Sequence, residues 1–451
     1  MNMATMTRGI LTFFTALALL PGLHPDQALA IIDGSNGPGF TLVARAGIIS
    51  TGDGQSLLGW GYANGSGGSG LMQYPGPTMI VNQGDSVTVT LTNELAVPVS
   101  IVFPGQAMVT ATGGAVGTLT QEVPAAPCLA DCTVIYTFTA SQPGTYLYHS
   151  GTQQDLEVEM GLVGALIVRP NAANQAYEHS SSAYEREYLF LLTEMDPTIH
   201  RLVEFGMTAQ VDFSTYKPTL WFINGRNAPD TMMGAGDQAS WLPYQPYNSM
   251  PQIYPGERAL MRLIGAGRDL HPFHHHGNNA WIIARDGRLL QSAPGNGADL
   301  AESNFTITVV PGGTVDAVFT WTGEKLGWDI YGSPTQAETA HLCNGSTTAS
   351  PGFDPVSHEY CPNHGISFRT TMPDLQSLTF GGNWTGSPFL GLLAALPPGE
   401  GGNNPSAAFT FMWHSHTEYE MVNDDIFPGG MMTMMMVEHP CTPGYECVTI
   451  P

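Results

Sequence analysis

Short runs in which apolar and polar residues alternate, each closed by a Pro-Gly, Gly-Gly or Asn-rich turn, recur along most of the chain. "TMIVNQGDSVTVTLTN", "CTVIYTFTA", "GTYLYHSG" and "GLVGALIVRP" form one set. "EYLFLLTEMDP", "PTLWFINGR", "IYPGERALMRLIGAG", "NFTITVVPGGTVDAVFTW", "AAFTFMWHSH" and "GGMMTMMMVEH" form a second. A period of two is the signature of a half-buried strand, and turns this frequent leave little room for long helices. With 53 Gly and 34 Pro in 451 residues, the fold class is all-β, and the two sets predict two β-sandwich domains built mainly of antiparallel strands. The expected boundaries are 31–175 and 176–451, the second domain carrying a Gly/Pro/Ser-rich insertion at about 333–405.

Residues 1–30 combine Arg8, an apolar run from Ile10 to Leu20 and a small-residue end at Ala28-Leu29-Ala30. That pattern predicts a secretory signal peptide, and with it export to a periplasmic or extracellular compartment. The apolar run is short for a membrane span, and no later segment reads as one. The six cysteines fall into close pairs: Cys128 with Cys132, Cys343 with Cys361, and Cys441 with Cys447. In an oxidising compartment they are read as three local disulfides. His341 and His364 beside the middle pair leave a zinc site as the alternative there. The formal net charge of −24, with 14 Lys+Arg, argues against nucleic acid as a partner and favours a metal ion or a cationic small molecule.

Histidines cluster at three strand ends. "YHSG" supplies His149, "HPFHHHG" supplies His271, His274, His275 and His276, and "WHSH" supplies His414 and His416. On a strand, His274 and His276 share a face, as do His414 and His416, so two H-x-H pairs predict a convergent imidazole site suited to copper, zinc, iron or nickel. His275 points away and is expected to be a supporting or surface group. The run "MMTMMM" at 431–436 is read as core packing, with Met431 the exception to test as a soft metal ligand.

"SQPGTYLYHSG…GLVGALIV", "INGRNAPD", "PGERALMRLIGAG…HPFHHHG", "VVPGGTVDAVF" and "WHSH…GGMM" resemble the multicopper oxidases, proteins of cupredoxin-like Greek-key domains. Only about 120 residues separate His149 from His271, which resembles the two-domain, small-laccase-like branch. The resemblance implies a homotrimer with copper sites between subunits. Of the family's ligand motifs, the first is lost, with Val102 and Pro104 in its place, and the second keeps His149 but has Gly151. The third is complete as His271, His274 and His276, and the fourth keeps His414 and His416 around Ser415, where the family has its type 1 cysteine.

The resemblance therefore implies a metal set of His149, His274, His276, His414 and His416, enough for one or two copper ions rather than four. The degenerate type 1 position comprises His271, Ser415, Glu420 and Met431. Without the Cys thiolate there is neither blue absorption nor the usual electron relay. Glu418 or Glu420 is a candidate base. The expected function is an exported copper-dependent oxidoreductase acting on a small-molecule substrate without type 1 copper. A non-catalytic copper-binding, storage or structural protein on the same scaffold is the alternative.

Overall fold

The computed structural model describes residues 32–65, 70–233, 240–325, 343–345, 352–354, 360–364 and 409–438. The expected signal peptide and most of the 333–405 stretch lie outside them. Two pairs of sheets make up the fold, with a small two-stranded sheet of Ala115–Val116 and Gln121–Glu122 beside them. In the first pair, a sheet ordered Ser35–Asn36, Gly76–Asn82, Val163–Arg169, Gly144–His149 packs on one ordered Met72–Gln73, Ser56–Asn64, Gly39–Ser50, Ser86–Asn93, Val134–Thr139, Thr110–Gly113. In the second pair, Leu220–Ile223, Arg186–Met195, Arg258–Gly265, Thr314–Thr320, Ala280–Arg285 and Arg288–Leu289 form one sheet, with Glu302–Asn304 also paired to Ala280–Arg285. Facing it is a sheet ordered Gln252–Ile253, Met432–Val437, Phe409–Ser415, His271–His275, Thr306–Val309.

The sheets are mixed rather than antiparallel throughout. Gly76–Asn82 pairs in parallel with Val163–Arg169, Gly39–Ser50 with Ser86–Asn93, and Arg186–Met195 with Arg258–Gly265. "TMIVNQGDSVTVTLTN" is accordingly not a hairpin, because its two strands enter different sheets. Their burial explains the split. Ser86–Asn93 alternates between exposed or half-buried and buried residues, whereas Met79, Ile80 and Val81, like Leu166, Ile167 and Val168 on the parallel neighbour, are buried on both faces. A strand covered on both faces needs an unbroken apolar run.

The second cover is the other pair of sheets. Leu147, Val163 and Ala165 pack with Leu191, Phe222 and Ile264 across the boundary, and Ile80 and Ile167 pack with Leu189. A buried polar clamp sits within this apolar contact. The fully buried Arg262 donates to Glu187 (3.0 Å) and to Thr145 Oγ1 (2.9 Å), and Thr145 and Tyr177 both donate to Asp316 (2.5 Å each). Thr145 belongs to the first pair of sheets; Arg262, Glu187 and Asp316 belong to the second.

Two of the three expected disulfides are present. Cys128 is bonded to Cys132 and Cys343 to Cys361, so the middle pair takes the disulfide rather than the zinc arrangement. The third expected bond, between Cys441 and Cys447, falls outside the described residues. No helix among the described residues is long and apolar enough to cross a membrane. Removing one partner of a buried ion pair strands the other charge, which costs about 3–5 kcal/mol. Arg262→Ala is expected to lower the unfolding free energy by about that amount, read from urea unfolding; a change below about 0.5 kcal/mol contradicts the clamp.

Candidate metal centre

Cross-strand register builds the site. Phe273 lies opposite Ser415, His274 opposite His414 and His275 opposite Trp413. The pairing runs on past the strand ends, where the His416 N–H donates to the Pro272 carbonyl (2.8 Å) and the His276 N–H to the Met412 carbonyl (3.2 Å). Because side chains alternate, His274, His276, His414 and His416 share one face of the sheet. His271, Phe273, His275, Trp413 and Ser415 share the other, and all five are buried in the core.

On the first face, one ligand nitrogen each from His274, His276 and His414 lies within 4.8 Å of the others. His414 Nε2 and His276 Nε2 are 3.3 Å apart, less than the roughly 4 Å sum of two metal–imidazole bonds, so one ion can reach both. Two of the rings and the backbone of the third are held from behind. His414 Nδ1 donates to the Ser415 carbonyl (2.7 Å), which leaves the Nε2 lone pair free. His274 Nδ1 is paired with Thr306 Oγ1 (2.9 Å), and Trp413 Nε1 donates to the His276 carbonyl (3.1 Å). Burial first, and the neighbouring imidazoles second, hold His276 at about 4; burial likewise brings His414 to about 4 and lowers His274. The rings are therefore neutral at pH 7, the form that binds metal. His416 is exposed beside the cluster, its ring centroid 4.8 Å from that of His274 and 5.6 Å from that of His414. A set of neutral imidazoles fits copper.

His149 stands outside this three-ring group. It ends the strand Gly144–His149, and its Nδ1 donates to the Ser150 carbonyl at 2.8 Å, the same fastening that His414 has. Of the lost ligand positions, Gly151 is buried and packed, Val102 is half-buried and Pro104 is exposed. Val102 bridges His149 through the backbone, and a side chain at Gly151 would meet Val102 Cγ1 at 2.7 Å and Ser100 Oγ at 2.9 Å. His275 is a core residue rather than a surface one. Its Nε2 accepts the Ala280 N–H at 3.0 Å, its ring packs edge-on to Phe319 and Trp413, and burial lowers it to about 4.

On the core face the degenerate type 1 position holds a salt bridge. His271 Nδ1 donates to Glu420 Oε2 (2.8 Å) and Nε2 donates to Glu194 Oε2 (2.9 Å), all three side chains being buried. Burial alone would lower the imidazole; the hydrogen bonds and charges of Glu194 and Glu420 outweigh it and raise His271 to about 9. Both ring nitrogens therefore carry protons, and neither offers a lone pair to a metal. Ser415 is fully buried, its N–H donating to the Met431 carbonyl (2.9 Å) and its Oγ accepting from Thr417 N–H (3.2 Å). Met431 is in the core with Phe273, Trp413 and Met435, while Met432 and Met434 pack with Ala228 and Met412 on the opposite face. This donor set does not fit a type 1 copper. Glu420 is committed to His271 and is not available as a base at the cluster.

Glu194 is the partner that sequence reasoning missed. The available signal was a second carboxylate, after Glu187, near the end of the largely apolar run "EYLFLLTEM", whose last residues are buried on both faces. Glu194 Oε1 also accepts the backbone N–H groups of Arg268 and Asp269 (the latter at 3.0 Å).

The family model described as "Multicopper oxidase" matches residues 71–173. Copper resistance protein A of Escherichia coli is 24% identical over 309 residues, covering 62% of this chain and 48% of that protein. This chain thus spans about half the length of that relative. The copper-containing nitrite reductase of Alcaligenes xylosoxydans xylosoxydans is 32% identical over 284 residues, 59% of this chain and 74% of that one. Among solved structures, a blue copper oxidase from Nitrosomonas europaea superposes with a TM-score of 0.51 at 18% identity, covering 88% of this chain and 85% of the other, a likeness of fold.

The raised His271 has a stability consequence. The folded chain keeps a proton up to about 9 that an unfolded histidine releases near 6.5. The bridge thus contributes fully below about pH 6.5 and is lost as pH rises through about 9. Urea unfolding from pH 6 to 10 is expected to show the stability gap between wild type and His271→Gln closing over that window; a gap that widens with pH contradicts the assignment.

Proposed function

Because this chain belongs to the multicopper oxidase family, we propose that it is an exported copper-binding oxidoreductase in which His274, His276 and His414 hold one ion and no type 1 copper is present. The observation that carries this reading is the convergence of three neutral imidazoles on one sheet face, the His414 ring held by a backbone carbonyl and the His274 ring by a hydroxyl. Copper in such a site supplies one-electron redox chemistry towards oxygen or peroxide. The protein's own part is to hold the ring nitrogens aimed at one point and to keep them unprotonated. His416 lies at the exposed rim as a further imidazole, and Phe305, 62% exposed and edge-on to His274, forms an apolar wall on which a small aromatic substrate could rest.

His149 enters the reading through a second copy of the chain. Its Nδ1 is tied to Ser150, which leaves Nε2 for a metal, but within one chain it is not among the converging rings. A homotrimer of the kind the resemblance implies would bring it to a neighbour's cluster and allow a second ion. Export to a periplasmic or extracellular compartment completes the reading. The absence of a thiolate at Ser415 favours a second function on the same site, copper storage, because electrons have no type 1 route to the cluster.

Copper loading of the mature protein, followed by dialysis and metal analysis with optical and EPR spectra, tests the site. About one copper per chain is expected, with no intense blue band. His276→Ala and His414→Ala are each expected to weaken binding by at least about tenfold. Less than about a tenth of a copper per chain contradicts the reading. Aerobic oxidation of a phenol above the rate of free copper separates the oxidoreductase from the storage function, and light scattering in solution reads the trimer.

A further inference from the structure

The buried bridge at the degenerate type 1 position is more than a lost metal site. Three elements meet at His271. Glu194 comes from the strand Arg186–Met195, His271 begins the strand His271–His275, and Glu420 lies in the turn Glu418–Met421. The turn belongs to the segment from His416 to Gly430, which leaves the sheet after Ser415 and re-enters it at Met432. The backbone bonds of this segment are mostly its own: Glu420 N–H to Thr417 carbonyl (2.8 Å), Gly429 N–H to Met421 carbonyl (2.9 Å), Met431 N–H to Glu420 carbonyl (2.8 Å) and Asn423 N–H to Ile426 carbonyl (2.9 Å). Its anchors on the rest of the molecule are mostly hydrogen bonds and ring contacts, among them the His416 N–H on the Pro272 carbonyl (2.8 Å) and the Ala228 N–H on the Gly430 carbonyl (2.9 Å). They also include the Asp424 N–H on the Thr219 carbonyl (3.0 Å), the Asn423 side chain on the Ala228 carbonyl (3.0 Å), Tyr419 edge-on to Trp221, and the Glu420–His271 contact. Among the described residues, the last is the segment's only buried ionic contact.

Two glycines leave room for the bridge, Gly267 beside the Glu194 carboxylate and Gly430 beside the Glu420 backbone. A Cβ at Gly267 would lie 1.9 Å from Glu194 Oε2, and a Cβ at Gly430, where φ is +60°, would lie 2.0 Å from the Glu420 carbonyl oxygen. Behind Glu194 the polar chain continues. Tyr216 is within hydrogen-bond reach of both Glu194 Oε1 (3.4 Å) and Glu159 Oε2 (3.1 Å), and Glu159 lies in the turn that leads into the strand Val163–Arg169 of the first pair of sheets. Arg268 stacks over Phe213 and Tyr216 and donates to the Asp155 carbonyl. The charged and titratable groups around the imidazole are thus Glu194 on one strand, Glu420 on the turn, Arg268 and Asp269 on the segment before it, and Tyr216 with Glu159 behind Glu194. Two carboxylates at 2.8 and 2.9 Å on opposite ring nitrogens are both satisfied only when each nitrogen carries a hydrogen.

We propose that a proton takes the place of the type 1 metal: the His271 imidazolium cross-links Glu194 to Glu420 and thereby latches the segment 416–430 onto the sheet. Where a relative uses a metal ion to draw side chains from separate elements together, this chain uses one buried cation to draw two buried anions together. The latch rests on its own geometry. It bears on the copper reading only through His416, which the latched segment carries at the rim of the three-imidazole face.

The test uses the full mature protein with ¹⁵N-labelled histidine. At pH 7 one histidine is expected to show both ring nitrogens protonated, and that signal is expected to vanish in His271→Gln. A spectrum in which every histidine is neutral at pH 7 overturns the proposal. Hydrogen exchange supplies the second reading. Glu420→Gln is expected to speed exchange in 418–431 by at least about tenfold while 186–195 and 258–265 keep their wild-type rates. Unchanged protection of 418–431 in that variant overturns the latch, and if His271→Gln does not fold, Glu420→Gln and the wild-type spectrum still decide. His276→Ala is expected to abolish copper loading and leave both latch readings as they are, so failure of the copper reading is told apart from failure of the latch.

Discussion

Everything at the site follows from the register between His271–His275 and Phe409–Ser415. Setting His274 opposite His414 puts four imidazoles on one face and five buried residues on the other. A slip of one residue would exchange the two sets, placing Trp413 and Phe273 in solvent and imidazoles in the core. The register is held because Trp413 and Phe273 pack with Phe190 and Phe319 in the core of the second pair of sheets. Hydrophobic packing on one face therefore fixes the chemistry on the other.

His271 and the cluster imidazoles on the opposite face carry opposite charge states of the same side chain. The cluster imidazoles are neutral, because burial and mutual repulsion disfavour a proton, and so they present lone pairs. His271 lies on the reverse face of the same sheet and is cationic, because two carboxylates outweigh its burial. Environment rather than residue type decides which histidine can bind metal. Ser415 belongs to the core face, between His414 and His416 in sequence, and its backbone carbonyl orients His414 where a thiolate would have joined two copper centres.

Much of this was legible in the sequence. The period of two and the turn residues pointed to the all-β architecture, and H-x-H spacing placed His274, His276, His414 and His416 on one face. The disulfides Cys128–Cys132 and Cys343–Cys361 also followed from spacing and compartment. What escaped was long-range. Parallel pairing of Gly76–Asn82 with Val163–Arg169 leaves no local mark beyond an apolar run. His275 read as a supporting or surface group because an isolated imidazole on a core face has no distinguishing neighbour in sequence. Glu194 lies 77 residues from His271, and only the fold brings that carboxylate to the ring. The separation of His149 from the cluster within one chain was equally invisible, since spacing reports which residues share a strand and not which strands converge.

Copper on one face of this sheet and a proton on the other is the arrangement on which the rest depends. A crystal of the copper-loaded protein, with anomalous diffraction collected on both sides of the copper absorption edge, tests this directly. The account predicts a copper peak among His274, His276 and His414 and none between His271, Ser415 and Met431. A peak at the latter position, or no peak at the three imidazoles, would contradict it.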